Sequence, residues 1–333
     1  MPHSWRNAMS AALYGPDGFF VTGAGPAAHF RTSVHASPAF GLALLRLLDR
    51  VDAALGHPDP LDVVDVGAGR GELLTTLAGH ATPELRRRLR LTAVELAPRP
   101  GTLPVGIEWR ATPPAGVTGL LLATEWLDNV PLDVVEADQD GWRQVLVDPA
   151  TGTESPGGPV DPAGADWLAT WWPTESTVPG SRAEVGLPRD AAWADAVATV
   201  DRGLALCVDY GHLATNRPPD GSLTGFLAGR QVPPVPDGSC DITAHVAMDA
   251  VAAAGSSAAG LPYTLLPQRD ALRALGLHGG RPPLALASTD PAAYVRALAA
   301  ASAVGELTDP AGLGGHWWLL QPVGVDPTAV VAR

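Results

Sequence analysis

The chain contains no lysine; all 22 of its basic residues are arginine. A Walker phosphate-binding loop needs a lysine at the phosphates, so that class of nucleotide site is excluded. Cysteine is nearly as scarce. Cys207 lies in an apolar run, and the pair it forms with Cys240 implies neither a disulfide framework nor a thiolate metal site. The nine histidines include no HExxH pair, and no cysteine or carboxylate cluster has metal spacing, so no metal is expected. No G-x-S-x-G elbow is present, because GSLTG at 221–225 puts Ser222 in the wrong place. No apolar run approaches the ~18 residues of a membrane span. The opening MPHSWRNAMSAALYG lacks a basic region followed by an apolar block, so a cytoplasmic protein without a signal peptide is expected. The net charge of −13 disfavours nucleic-acid binding through a broad basic face. The heavy use of Ala, Gly, Pro and Arg reflects a GC-rich coding bias rather than a site.

At 333 residues the chain can bury a full core. Apolar runs of strand length alternate with segments of helical spacing. Strands are expected at 61–66, 91–94, 105–109, 117–123, 204–208, near 262–266 and at 316–322. Helices are expected at 39–55, 72–80, 83–90, 191–201, 242–254, 268–276 and 291–306. Residues 133–148 read as a hairpin around Asp140-Gly141. The Pro/Gly-rich stretch 149–190 carries Trp167, Trp171 and Trp172, which need something to pack on, so it reads as an inserted piece rather than a linker. The expectation is an α/β fold with a doubly wound, mostly parallel sheet. Residues 1–60 form an N-terminal helical and loop segment covering the site. Residues 61–333 form the main domain, with insertions at about 133–200 and 212–260.

The most telling stretch is LDVVDVGAGRG, residues 61–71. A β-branched run ends in Gly67, Gly69 and Gly71, followed by a helical run from Glu72. Strand, glycine turn and helix open a nucleotide site in an open α/β sheet. A dinucleotide fingerprint wants its third glycine where Glu72 stands, and an acid at a helix start repels a pyrophosphate. The tighter glycine spacing points instead to S-adenosylmethionine (SAM), with Gly67, Gly69 and Gly71 beside it. Glu95 closes the next strand, where an acid accepts hydrogen bonds from ribose hydroxyls. Asp65, inside the first strand, reads either as an orienting group for the glycine loop or the methionine amino group, or as a buried acid paired with backbone. TEWLDNVP (124–131) follows the fourth strand and puts Glu125 and Asp128 near the acceptor. Two carboxylates can grip a guanidinium, but the same spacing also suits a helix start capped by Asp128. DITAHV (241–246) reads as a helix start with Asp241 as cap and His245 as a candidate site histidine. His29 and His35 lie in an irregular segment, and their spacing does not assign them.

Separated segments share one resemblance. MSAALYGPDGFF (9–20), HFRTSVHASPAFG (29–41), VVDVGAGRGEL, AVELAP (93–98), EWRATPPAGVTGLLLATEWLDNVP, CVDYGHL, PDGSLTGF and CDITAHV resemble, in order, the motifs of the MidA-like family of SAM-dependent methyltransferases. That family includes the mitochondrial complex I assembly factor with protein-arginine methyltransferase activity. The resemblance covers residues 5 to about 280. His29 and His35 stand where the family has acids, Val34 where it has proline, and Thr124 where it has asparagine. The resemblance implies a class I, Rossmann-like methyltransferase fold, SAM as cofactor, and a protein arginine as acceptor with Glu125 and Asp128 catalytic. Trp109, or the segment after it, is expected to flank adenine. Thr32, Ser33, His35, Asp241 and His245 are expected on the substrate side. A small-molecule acceptor and a non-catalytic assembly role remain alternatives, and a nicotinamide oxidoreductase is the weakest. The oligomeric state is not fixed by the sequence.

Overall fold

The computed structural model describes residues 1–22, 32–172 and 177–330. Its centre is a seven-stranded sheet: β1 (Leu61–Val66), β2 (Leu89–Val94), β3 (Ile107–Arg110), β4 (Val117–Thr124), β5 (Val200–Asp209), β6 (Thr264–Pro267) and β7 (Trp317–Val323). The spatial order is β6-β7-β5-β4-β1-β2-β3. β5, β4, β1, β2 and β3 run parallel. β7 runs antiparallel to both of its neighbours. All six residues of β1 are buried, as a β-branched central strand requires. Alternate residues serve opposite faces. Leu61, Val63, Leu120, Leu122, Leu204 and Leu206 share a core with α2 (Pro38–Leu55), α3 (Glu72–His80) and α4 (Pro83–Arg88). Val64, Val66, Leu121, Ala205 and Cys207 face α5 (Leu187–Ala198) and α6 (Met248–Ala259). The expected α/β class therefore holds. Among the described residues no helix is long and apolar enough to cross a membrane.

Local signals explain the longest core helix. Ser37 caps α2 by accepting from Ala39 N–H (3.1 Å), Pro38 presets the first turn, and left-handed Gly56 ends it. Phe40, Leu44, Leu47, Leu48 and Val51 recur at helical spacing and are wholly or almost wholly buried.

Segments outside the main sheet build a second layer. Strands His3–Ser4, Trp142–Val147, Asp133–Ala137 and Arg182–Val185 form a separate sheet, with Glu154–Pro159 paired to its side. A short helix preceding the site, α1 (Trp5–Tyr14), packs Trp5, Met9 and Leu13 against Val134, Val145 and Ile242. Helix α1 packs with this second layer, and α2 with the main sheet.

Residues 242–254 depart from the expected single helix. Asp241–Thr243 is a strand, and α6 starts at Met248. Tertiary partners take the backbone groups a helix would have used. Ala244 N–H donates to Asp128 O (3.2 Å), and Val246 N–H to Tyr210 O (3.0 Å). Strand β2 starts at Leu89, so helix α4 stops short of residue 90.

Two glycines on neighbouring central strands leave no room for a side chain. Gly119 and Gly203 face each other in register with Asp62, at φ of 150° and 141°. A Cβ on Gly119 would lie 2.1 Å from Asp62 O. Replacing Gly119 by alanine adds both this clash and the strained backbone, so Gly119→Ala should cost about 3 kcal/mol or more. Urea unfolding, read as a lowered midpoint at unchanged slope, checks this.

Candidate functional site

The site lies beyond the carboxyl ends of β1, β2 and β4, where the sheet order turns around. A cavity of about 590 Å³ opens there, within the range of small-molecule sites. Val66, Gly67, Gly69, Glu95, Trp126 and Ala192 are among its walls. A smaller cavity, lined by Thr32, His35, Asp65 and Glu72, shares Gly67, Gly69, Glu125 and Asn129 with it. The two are parts of one site, and Glu125 stands where they meet.

The glycine turn uses its three glycines differently. All have positive φ, at 71°, 57° and 81°. A Cβ on Gly67 would come within 2.8 Å of Trp126, and one on Gly71 within 2.4 Å of Leu103. On Gly69 it would meet only Glu72 Oε2, at 3.7 Å. Gly69 is therefore the position at which bare backbone faces open space. Gly71 lines neither cavity; it starts α3 and leaves room for Leu103. Glu95 is tied to the turn, since Gly69 N–H donates to Oε2 (3.1 Å) and Leu96 N–H to Oε1 (2.7 Å). Trp109 departs from expectation. Its Nε1–H donates to Ala97 O (3.0 Å), which turns the indole into the β2–β3 connection and away from the cavity. Ala111, Thr112 and Pro113, just after it, form that wall.

Asp65 is 2 % exposed, and its Oδ1 has no hydrogen-bond partner among the described residues. Burial, then the Glu72 and Glu95 charges, push its pKa up to about 8. Glu125 has positive φ (51°) and a side chain only 6 % exposed. Its pKa is also pushed up to about 8, chiefly by burial, against the Ser33 N–H that donates to Oε1 (2.8 Å). The nearby Asp128 carboxylate raises it further.

Asp128 lies in a 3₁₀ turn, Leu127–Asn129, and not at the start of an α-helix. It lines neither cavity. Tyr210 OH and Thr243 Oγ1 bond its Oδ2, while Oδ1 is buried without a partner among the described residues. Asp209 fixes the turn by accepting Leu127 N–H (3.0 Å) and Asp128 N–H (3.3 Å). Burial raises the pKa of both carboxyl groups. Asp241 caps no helix; its Oδ1 accepts from Asn129 Nδ2 (2.8 Å). His245 is exposed and sets its ring edge-on to Tyr210, with centroids 5.3 Å apart. Thr32 and His35 wall the small cavity, where His35 Nε2 lies 3.4 Å from Glu72 Oε1. Ser33 touches Glu125 through its backbone. His29 lies outside the described residues.

Sequence reading missed Arg189 and Tyr210. Arg189, 1 % exposed, donates to the carbonyls of Asp128, Val130, Ala244 and His245, joining both insertions to the turn after β4. No sequence signal marks it, because its partners are backbone atoms brought together by the fold. Tyr210 stood in the CVDYGHL segment, but only the fold sets its hydroxyl on Asp128. Among the described residues no cluster has the makings of a metal site.

The model of a protein family described as "Putative S-adenosyl-L-methionine-dependent methyltransferase" matches residues 44–265. Two solved structures from Burkholderia thailandensis are similar over the whole chain. One, described as a "COG1565 superfamily member and likely methyl transferase" and bound to S-adenosyl-homocysteine, is 25 % identical, with a TM-score of 0.81 and 91 % of its own chain covered. The other, an uncharacterised protein, is 26 % identical, with a TM-score of 0.77 and 90 % of its chain covered. No curated protein matches the chain.

Asp65 and Glu125 set a pH dependence. Their folded pKa values lie above those of exposed carboxyl groups, so between about pH 4 and 8 the folded state holds protons the unfolded state has lost. Stability of the ligand-free protein should fall as pH rises through this window, by at most about 1.4 kcal/mol per pH unit for each group, and level off above it. Asp65→Asn should flatten the slope. Melting temperatures measured across the window for both proteins test this; equal slopes would refute it.

Proposed function

Because this chain belongs to that family of S-adenosyl-L-methionine-dependent methyltransferases, covered by the family's model over more than half its length, we propose that it methylates a guanidinium nitrogen of a protein arginine. The sheet order, its turn-around between β1 and β4, and helices on both faces support a doubly wound, Rossmann-like methyltransferase domain. The ordered MidA-like motifs over residues 5 to about 280 support the arginine acceptor.

The observation that carries the reading is Glu125, a nearly sealed carboxyl group at the junction of the two cavities, with no arginine paired to it among the described residues. The residues present suit SAM. Gly69 offers open backbone, Glu95 stands at the end of β2 for the ribose, and the partnerless Asp65 Oδ1 suits an ammonium group. Gly67, with Trp126 packed on it, shapes the wall between them. When bound, SAM supplies a methyl group on a sulfonium, a strong leaving group already in place.

The protein's task is then to orient and desolvate. An arginine guanidinium is charged and a poor nucleophile. Glu125, protonated at rest near neutral pH, ionises against the incoming positive charge; as a carboxylate it draws that charge toward the nitrogens facing it and accepts the proton shed as the methyl arrives. Asp128 acts behind it. Held by Tyr210 and Thr243, its negative charge raises the proton affinity of Glu125. Thr32, Ser33 and His35 wall the site from the N-terminal side, and Asp241 and His245 support the far side through Asn129 and Tyr210.

Calorimetry with S-adenosylhomocysteine tests the cofactor site. Glu95→Ala should weaken binding about tenfold or more, a loss of roughly 1.4 kcal/mol. Glu125→Gln should bind as wild type does, yet lose about a hundredfold or more in labelled-methyl transfer to arginine-containing proteins. Unchanged transfer in Glu125→Gln at saturating SAM would refute its role. Absence of cofactor binding in folded wild type would favour a role by contact alone.

A further inference from the structure

A third cavity, of about 370 Å³, lies in the second layer and shares no wall residue with the two described above. Its charged walls are Glu154, Glu184, Asp220 and Arg182. Arg182 and Glu184 stand two residues apart on the strand Arg182–Val185, so their side chains leave the same face. Arg182 is already engaged. It pairs with both oxygens of Glu154 (2.6 and 2.7 Å), and Trp5 Nε1–H gives that carboxylate a further bond (2.8 Å). Glu184 is 3 % exposed. Its Oε1 accepts Ser222 N–H (2.5 Å) and Leu223 N–H (3.0 Å). Gly221, at φ of 72°, leaves room for this, since a Cβ there would lie 2.8 Å from Oε1. Oε2 is sealed from solvent and has no partner among the described residues. Arg189, the other cation near Glu184, gives its donors to four carbonyls. A carboxyl oxygen left buried and unbonded is costly and calls for a donor.

We propose that this cavity is a second cation site, which holds the guanidinium of another arginine on the polypeptide being methylated. The inference rests on the protein-arginine reading given above. The walls carry three carboxyl groups against one guanidinium, so they favour a cation. A guanidinium brings five N–H donors in a fixed fork, enough to serve Glu184 Oε2 and the exposed Asp220 together. Leu223, Pro233, Pro234 and Val235 supply apolar wall for the aliphatic stem of the same side chain. A metal ion fits less well, because among the described residues no three acidic, histidine or cysteine groups gather closely enough to hold one. Helix α1 relates this cavity to the main one. Trp5 at its start walls the cation site, and Tyr14 at its end walls the main cavity. Its ten residues place those two positions about 14 Å apart, which roughly four residues of extended chain would span. A bond between backbone and side chain also joins the two regions: Ser222 Oγ accepts His245 N–H (2.9 Å), and His245 faces Tyr210.

Three peptides test the site on the full chain saturated with labelled SAM: Arg-Gly-Ser-Gly-Arg, and the same peptide with alanine in place of one arginine or the other. The two-arginine peptide should have a KM about tenfold lower than either single-arginine peptide, at similar kcat. In Glu184→Gln that advantage should vanish, while S-adenosylhomocysteine affinity and the kinetics of the single-arginine peptides stay as in wild type. Asp140→Asn removes one charge from an exposed turn far from the cavity wall, and there the advantage should persist. Asp220→Asn replaces Glu184→Gln if melting shows that variant unfolded. Equal KM for all three peptides in wild type, or an advantage that survives in Glu184→Gln, would overturn the second cation site. An advantage lost equally in Asp140→Asn would reduce it to general attraction by an acidic protein and overturn it too. If no peptide is methylated although S-adenosylhomocysteine binds, the protein-arginine reading fails instead. Calorimetry of the two-arginine peptide on wild type and Glu184→Gln then still decides whether the cavity holds a guanidinium.

Discussion

Four backbone carbonyls converge on one buried guanidinium, and the site depends on that convergence. Arg189 sits on α5, yet its donors reach the turn after β4 and the segment before α6. An arginine supplies five N–H donors in a fixed fork, so it can satisfy several orphan carbonyls at once. Removing it would leave those carbonyls buried and unpaired, each at a cost of about 1–3 kcal/mol. The positive charge also lies among Asp128, Asp209 and Glu184, which lets a region crowded with carboxyl groups exist inside the protein.

The carboxyl groups around it are ordered by depth. Asp209 is spent on backbone N–H groups and shapes the turn. Asp128 is half spent, with one oxygen bonded by Tyr210 and Thr243 and the other left bare. Glu125 reaches the cavities. Each step outward leaves more of the carboxylate available, and burial at each step raises the affinity for a proton.

The second layer meets the main sheet at the turn after β4. Methyl transfer needs water excluded from the reacting atoms, and the main sheet alone leaves its strand ends open. Helix α1 and the inserted sheet build a separate core around Trp5, Met9 and Ile242. Tyr14, at the end of α1, reaches the cavity wall and donates to Asn129 O (3.2 Å). Chain segments more than a hundred residues apart thus meet at the turn that carries Glu125 and Asp128.

Much of the main sheet was legible in the amino-acid order, because its signals are local. The β-branched run 61–66, the glycines after it, and the acid closing the next strand each announce themselves within a few residues. The same locality misled at 241–246. Asp followed by Thr and Ala reads as a helix start, but bonds to Asp128, Tyr210 and Arg189 hold the segment extended. Trp109 misled for the same reason: its place in the sequence fitted a ligand wall, and a single bond to Ala97 turned it away. The sequence by itself determined the α/β class, the glycine turn and the cofactor chemistry, since strand periodicity and glycine geometry do not wait on distant contacts. Only the tertiary structure decided which glycine faces open space and which carboxylate reaches the cavity. It alone brought Arg189 and Tyr210 to the site, because each of those facts is a meeting of residues from separate segments of the chain.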